Sequence, residues 1–269
     1  MPTVVVDSRR VSYEDQGAGR VAVLIHGSPG NGKAWKPVAD RLVQQCRVIA
    51  PDLPGYGETT AQPRGQDPDV GYACALVEEL IRHAGSPTVL AGHSYGGVVA
   101  LAVALRARVP VRALALFEPV AVNVLALDGD PSHAASHAYF DDYIRSVERG
   151  DAGAVRKMVD FWFGDGAFGR MPEPLTAYLT SAAASNIRDV RATLRETYTA
   201  EALGALRMPV AIVVGDRSPA ISHRIAHAIA RHVPRGFVTT VPNATHALVT
   251  THPERVIEAI ERLASEAVE

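Results

Sequence analysis

The run Val89-Leu90-Ala91-Gly92-His93-Ser94-Tyr95-Gly96-Gly97 constrains this chain more than any other segment. Thr88 to Ala91 is an apolar stretch of strand length, and Val98 to Arg106 has the composition of a helix. Between them stands G-x-S-x-G with Ser94 at its centre. A strand that turns directly into a helix pushes the residue at the turn out above the sheet edge, and glycines on both sides let the backbone fold that tightly. Ser94 then sits at a helix N-terminus, where unpaired N–H groups favour developing negative charge. The spacing therefore predicts a buried strand, a sharp turn carrying an exposed hydroxyl, and a packed helix.

The rest of the chain supplies elements to match. Short strands are expected over 3–7 and 10–15, joined by a turn at Ser8-Arg9, then over 21–25 and 47–50. The apolar run Val21 to Ile25 reads as a strand covered on both faces. Trp35, Val38, Ala39, Leu42 and Val43 share one face of a helix over 35–45, and 70–83 reads as another helix. Val111 to Glu118 is a further apolar strand. The middle of the chain then changes character. Residues 131–204 carry helical patterns over 137–149, 154–162, 174–186 and 187–203, with no convincing strand. Afterwards strand and helix alternate again, over 210–215, 221–232, 236–241 and 253–267. Such alternation implies a mostly parallel sheet with helices on both faces. An all-helical insertion after one strand places a cap over the sheet's C-terminal edge, where ligands bind in open α/β sheets.

The bulk properties exclude several classes. A chain of 269 residues with 47% hydrophobic and 21% charged residues is that of an ordinary globular protein. A net charge of −2 gives no polyanion-binding surface, so no nucleic-acid partner is expected. The N-terminal MPTVVVDSRR lacks an apolar segment long enough for a signal peptide or a span, so no membrane partner is expected either. Cys46 and Cys74 are too few for a disulfide framework and fit a reducing, cytoplasmic compartment. Histidines and carboxylates do not cluster at ligand spacing, so no metal site is implied.

Serine at its free pKa is a poor nucleophile and needs a base oriented by a third group. Of the ten histidines, His246 lies just after the last predicted strand, at the sheet edge that carries Ser94. His93 is expected to face away from its neighbour in the tight turn, and His26 to be structural at a strand end. A developing oxyanion needs two backbone N–H groups; Tyr95, after the nucleophile, and Ser28, in the loop His26-Gly27-Ser28-Pro29-Gly30, are the candidates. That loop also contains a decoy. Residues 27–33 fit G-x-x-x-x-G-K, but Ala34 stands where a Ser or Thr would hold Mg²⁺, and Pro29 removes an N–H from the cradle. Nucleotide binding is therefore not expected, and no cofactor is called for.

His26-Gly27-Ser28-Pro29-Gly30, Asp52-Leu53-Pro54-Gly55-Tyr56-Gly57, Gly92-His93-Ser94-Tyr95-Gly96-Gly97 and the late His246, in this order, resemble the α/β-hydrolase fold family. The resemblance implies an eight-stranded, mostly parallel sheet. It divides the chain into a core domain, residues 1–119 and 205–269, and a helical cap over 120–204. It also implies a catalytic triad in the order serine, acid, histidine. The chain departs from the family at the acid. The usual position, after the strand before the histidine as G-x-x-D, falls in Gly215-Asp216-Arg217-Ser218 on a serine. Asp216 comes two residues early. Glu118, at the end of the neighbouring strand, has one more methylene of reach, and some members of the fold place their acid there; Glu118 is favoured, with Asp216 as the alternative.

In the cap, the run Phe161-Trp162-Phe163 is a candidate pocket lining above Ser94. The reading as a whole expects a serine esterase of a small or medium, mostly apolar ester or lactone, acting on a small-molecule partner. Carbon–carbon bond hydrolysis, perhydrolase activity and a non-catalytic binding protein on the same scaffold stay open, as does a homodimer.

Overall fold

The structure, a computed structural model, describes residues 2–6, 9–61, 68–86 and 88–266. Ser8 of the expected first turn lies outside them. Eight strands form one sheet: β1 (Thr3–Val6), β2 (Arg9–Gln16), β3 (Arg20–Ile25), β4 (Cys46–Pro51), β5 (Thr88–His93), β6 (Val111–Phe117), β7 (Val210–Gly215) and β8 (Gly236–Val241). Their spatial order is β1-β2-β4-β3-β5-β6-β7-β8. β1 and β2 pair antiparallel at one edge, and every pair from β4 onward is parallel. β5 and β6 lie near the middle, so the turns after them open side by side on the C-terminal edge.

Period-two alternation explains why these strands read as continuous apolar runs. Along β6, Ala113, Ala115 and Phe117 pack into one hydrophobic layer, whereas Leu114 and Leu116 pack into the other. The first layer is closed by α1 (Lys36–Leu42), reached through a 3₁₀ turn over Gly32–Trp35, and by α12 (Pro253–Glu266). The second is closed by α2 (Val70–Ala84), α3 (Tyr95–Arg106) and α10 (Ala220–His232). Nearly every residue of α3 is buried, which is why its sequence shows so little polar face. Cys46 and Cys74 are free thiols, the second fully buried.

Between β6 and β7 the described chain is helical: a 3₁₀ turn over Val122–Asp128, then α4 (Ser132–Glu148), α5 (Ala154–Phe163), α6 (Ala167–Arg170), α7 (Glu173–Ser181), α8 (Ala183–Arg195) and α9 (Ala200–Gly204). The helix boundary expected between residues 186 and 187 is wrong. The break falls at Ala182, and α8 runs through Asn186 and Ile187. The stretch Ser181-Ala182-Ala183-Ala184 holds no Gly or Pro to mark the corner; tertiary packing sets it, against local propensity. α11 (Leu248–Thr251) follows the loop after β8. No described helix is long and apolar enough to cross a membrane.

Candidate active site

Ser94 stands at the turn from β5 to α3 with φ 54° and ψ −120°, a conformation a non-glycine residue rarely adopts. The turn is possible because its flanks are glycines. A side chain on Gly92 would collide with the Gly96 carbonyl, and one on Gly96 with the carbonyl oxygens of Ile25 and His26. The Ser94 N–H donates to the Phe117 carbonyl at 2.9 Å, extending the β5–β6 pairing and fixing the hydroxyl above the edge. Two other residues with positive φ lie on the neighbouring strand ends: Glu118 (φ 51°) after β6 and Asn243 (φ 60°) in the turn after β8. Strained backbone of this kind persists only where the surroundings over-determine it, and it clusters at functional sites.

The strained turns bring three side chains into line. His246 Nε2 lies 3.0 Å from Ser94 Oγ, and its Nδ1 lies 3.2 Å from Glu118 Oε2. With the Nδ1 hydrogen on Glu118, Nε2 is free to accept the serine proton. The second carboxylate oxygen of Glu118 accepts from the Gly215 N–H and from the Ser218 hydroxyl, both at 2.6 Å. Glu118 is completely buried, which alone would raise its pKa. The imidazole beside it and the hydrogen bonds from Ser218 and Gly215 outweigh burial and lower the carboxyl to about 2. It is therefore ionised across any assay range. Asp216, the alternative acid, is exposed on its turn with its backbone N–H on Val241. Ser218, at the position where the family usually has its acid, serves instead as a donor to Glu118.

His26 and His93 both stay neutral. Burial lowers each to about 4, against the pull of a backbone carbonyl on both rings. His26 accepts the Leu53 N–H on Nε2 (2.8 Å) and donates from Nδ1 to the Gly27 carbonyl (2.7 Å). His93 donates from Nε2 to the His246 carbonyl at 2.8 Å and so holds the histidine loop from behind. Asp52 ties two loops together, accepting from the N–H groups of Gly32 and Glu58. Since Gly32 N–H is spent on Asp52, this loop is no phosphate cradle, and Lys33 is exposed away from it.

The N–H groups of Ser28 and Tyr95 find no hydrogen-bond acceptor among the described residues. Tyr95 begins α3, so its N–H also lies at the positive end of a helix. Ser28 is braced through its side chain. Its hydroxyl accepts from Asn186 Nδ2 at 2.9 Å and lies 2.8 Å from the Tyr56 hydroxyl, which itself donates to Asp189 Oδ2 at 2.6 Å. The single Tyr56 hydrogen goes to Asp189, and the Ser28 hydroxyl hydrogen lies within reach of both the Tyr56 oxygen and the same carboxyl. Tyr143 completes the chain by donating to Asn186 Oδ1 at 2.8 Å.

Ser94, His246 and Ser28 open into a cavity of about 360 Å³ whose far wall is built from the helices between β6 and β7. This volume lies within the range of small-molecule sites. From α5, Trp162 stacks on the His246 ring (centroids 4.5 Å apart, 28° between planes) and Phe163 meets it edge-on at 5.6 Å. Phe161 does not line the cavity. It stacks on Tyr139 at 4.5 Å and meets Phe140 edge-on. Three consecutive residues cannot share one face of a helix, because each turns by about 100° from the last. Sequence reasoning missed Asn186, Asp189 and Thr193, the polar residues of α8 that line the cavity. The spacing i, i+3, i+7 beside Val190 and Leu194 was the available signal. No group of three or more His, Cys, Asp or Glu is placed to hold a metal among the described residues.

Comparison with known proteins agrees with this geometry. The sequence pattern of the alpha/beta hydrolase family matches residues 22–259. The chain is 28% identical over 251 residues to a pimeloyl-[acyl-carrier protein] methyl ester esterase of Xanthomonas campestris pv. campestris, covering 91% of this chain and 95% of that one. It is 31% identical over 205 residues to a 2-hydroxy-6-oxo-2,4-heptadienoate hydrolase of Pseudomonas putida, covering 70% of this chain and 74% of that one. Among solved structures, a thermophilic esterase from Thermogutta terrifontis superimposes with a TM-score of 0.76 at 25% identity, covering 99% of this chain and 98% of that one. With the sheet order, the serine turn and the family pattern in agreement, this chain belongs to the alpha/beta hydrolase family and is an enzyme of the hydrolase type.

Proposed function

We propose that the chain is a serine hydrolase of small to medium, mostly apolar carboxylic esters or lactones, with residues 120–204 as a lid over the core. The observation that carries this reading is the continuous line from Ser94 Oγ through His246 to a buried, ionised Glu118. Ser94 Oγ attacks the carbonyl carbon as its proton passes to His246 Nε2. The carbonyl oxygen becomes an oxyanion facing the Ser28 and Tyr95 N–H groups. Collapse expels the alcohol, which takes the proton back from Nε2 and leaves an acyl group on Ser94. Water then attacks the acyl carbon, again losing its proton to Nε2, and the acid departs as Ser94 recovers its hydrogen. Throughout, Glu118 holds the Nδ1 hydrogen and offsets the imidazolium charge. The apolar wall from α5 supports an apolar substrate body. A serine nucleophile also fits ester chemistry better than epoxide opening, which in this fold uses a carboxylate.

Reaction with a fluorophosphonate, read by intact mass and peptide mapping, tests the proposal. One adduct on Ser94, together with turnover of nitrophenyl esters, is the expected result. No adduct in the folded protein would overturn it and return the cavity to a ligand-binding role.

A further inference from the structure

α8 shows the cavity a mixed face. Asn186, Asp189 and Thr193 follow one another at spacings of three and four and form one strip along the helix; Val190 and Leu194 form the strip beside it. The facing helix, α5, contributes only apolar side chains to the cavity. Of the polar strip, Asn186 is committed at both ends, accepting from Tyr143 and donating to Ser28. Asp189 is not. A carboxyl group has about four acceptor sites, and the Tyr56 hydroxyl, with Ser28 beside it, occupies a minority of them. Holding Tyr56 in place does not require a carboxyl, since an amide oxygen would accept the same hydrogen. A carboxyl in a mostly apolar cavity disfavours folding unless something pairs with it. That burial is felt: it raises the Asp189 pKa to about 7.

We propose that Asp189 is the recognition subsite of this cavity, and that the preferred substrate is an ester or lactone whose apolar skeleton carries a hydrogen-bond donor, a hydroxyl or an amine, on the side facing α8. The inference rests on the serine-hydrolase reading of Ser94. It divides the cavity in two: the α5 wall takes the apolar body, and the α8 strip takes the polar group. Substrates without the donor leave the remaining acceptor sites of the carboxyl unfilled in the closed site, and this is where discrimination arises.

The test uses nitrophenyl esters of straight-chain acids together with alkyl esters of simple acids. Each is compared with its hydroxy and amino counterpart, the substituent being moved along the chain. In the wild type, one position of the donor raises kcat/KM over the plain ester by about tenfold or more, the size of a hydrogen bond to a charged group. The hydroxy and amino arms show which donor is taken. In Asp189→Asn, which keeps an acceptor for Tyr56, that preference falls at least tenfold; Asp189→Leu, which fills the space with an apolar group, gives the same loss. A purely structural role for Asp189 would move all substrates together and leave the ratio unchanged. Fluorophosphonate labelling of Ser94 in each protein separates the two readings. Labelled enzymes with no donor preference, or with a preference that survives both substitutions, overturn the Asp189 subsite alone. A wild type that does not label overturns the hydrolase reading and the subsite with it.

Discussion

On the sheet side of the cavity, Ser94 and Glu118 sit on turns with positive φ, and His246 follows a turn that contains a third such residue. On the opposite side, the lining comes from helices of ordinary geometry, α5 and α8. The first arrangement fixes atoms: Ser94 and Glu118 are tied to the sheet by backbone hydrogen bonds, Ser94 N–H to Phe117 and Glu118 N–H to Val213, and His246 by the His93 ring on its carbonyl. The second shapes space, and a residue there lines the cavity or packs the helices according to the face it falls on. The difference teaches that substitution on the sheet side should act on the chemical step, whereas on the helical side it should act on selectivity or stability, one face at a time.

Several measurements can break that division. Ser94→Ala should lower kcat by about 10⁴-fold or more with little change in melting temperature, because alanine keeps the Cβ and the turn with it. Retention of most activity would remove the sheet edge from the chemistry. Trp162→Ala, which strips the ring stacked on His246, should lower kcat/KM by about tenfold. Its neighbour Phe161→Ala should instead destabilise the fold by roughly 2 kcal/mol and leave kcat/KM nearly unchanged, because that ring packs on Tyr139 and Phe140. Equal effects of the two on activity would contradict the face-by-face account.

At Asp189 the expected effect on stability depends on pH. Its folded pKa, raised to about 7, lies above the unfolded value of 3.8, so stability from the neutral form is present below pH 3.8 and is lost as pH rises through 7. Tyr56 and Ser28 face the carboxyl and favour its charged form, as does Arg188 more weakly, but burial dominates. Asp189→Asn should therefore melt several °C above wild type at pH 8 and no higher at pH 4. A difference independent of pH would mean that Asp189 ionises as freely as a surface carboxyl.

The division also explains what the sequence could reveal. Gly92-x-Ser94-x-Gly96 is legible because a sharp turn leaves few alternatives to glycine, and β5 and β6 because burial on both faces leaves unbroken apolar runs over 89–91 and 113–117. Glu118 was readable as a candidate from its place at the end of β6; its geometry with His246 was not. That Ser218 would point its hydroxyl at Glu118 depends on the register between β6 and β7, which no local pattern records. In the helical segment the pattern marks helices but not their corners, as Ala182 shows, nor which face a neighbour covers, as Phe161 shows. The i, i+3, i+7 spacing of Asn186, Asp189 and Thr193 marks them as one helix face, but only the packing of α8 over Ser28 and Tyr56 shows that this face turns inward.

The claim on which the rest depends is that Glu118, and not Asp216, holds the His246 imidazole. Ester turnover by Glu118→Gln and Asp216→Asn, each verified as folded, tests it most directly. The account predicts a fall in kcat of about 10³–10⁴-fold for Glu118→Gln, the size seen when a triad carboxylate becomes an amide. For the exposed Asp216→Asn it predicts a change of about twofold at most. The reverse order would contradict it and would place the acid back on the strand before the histidine.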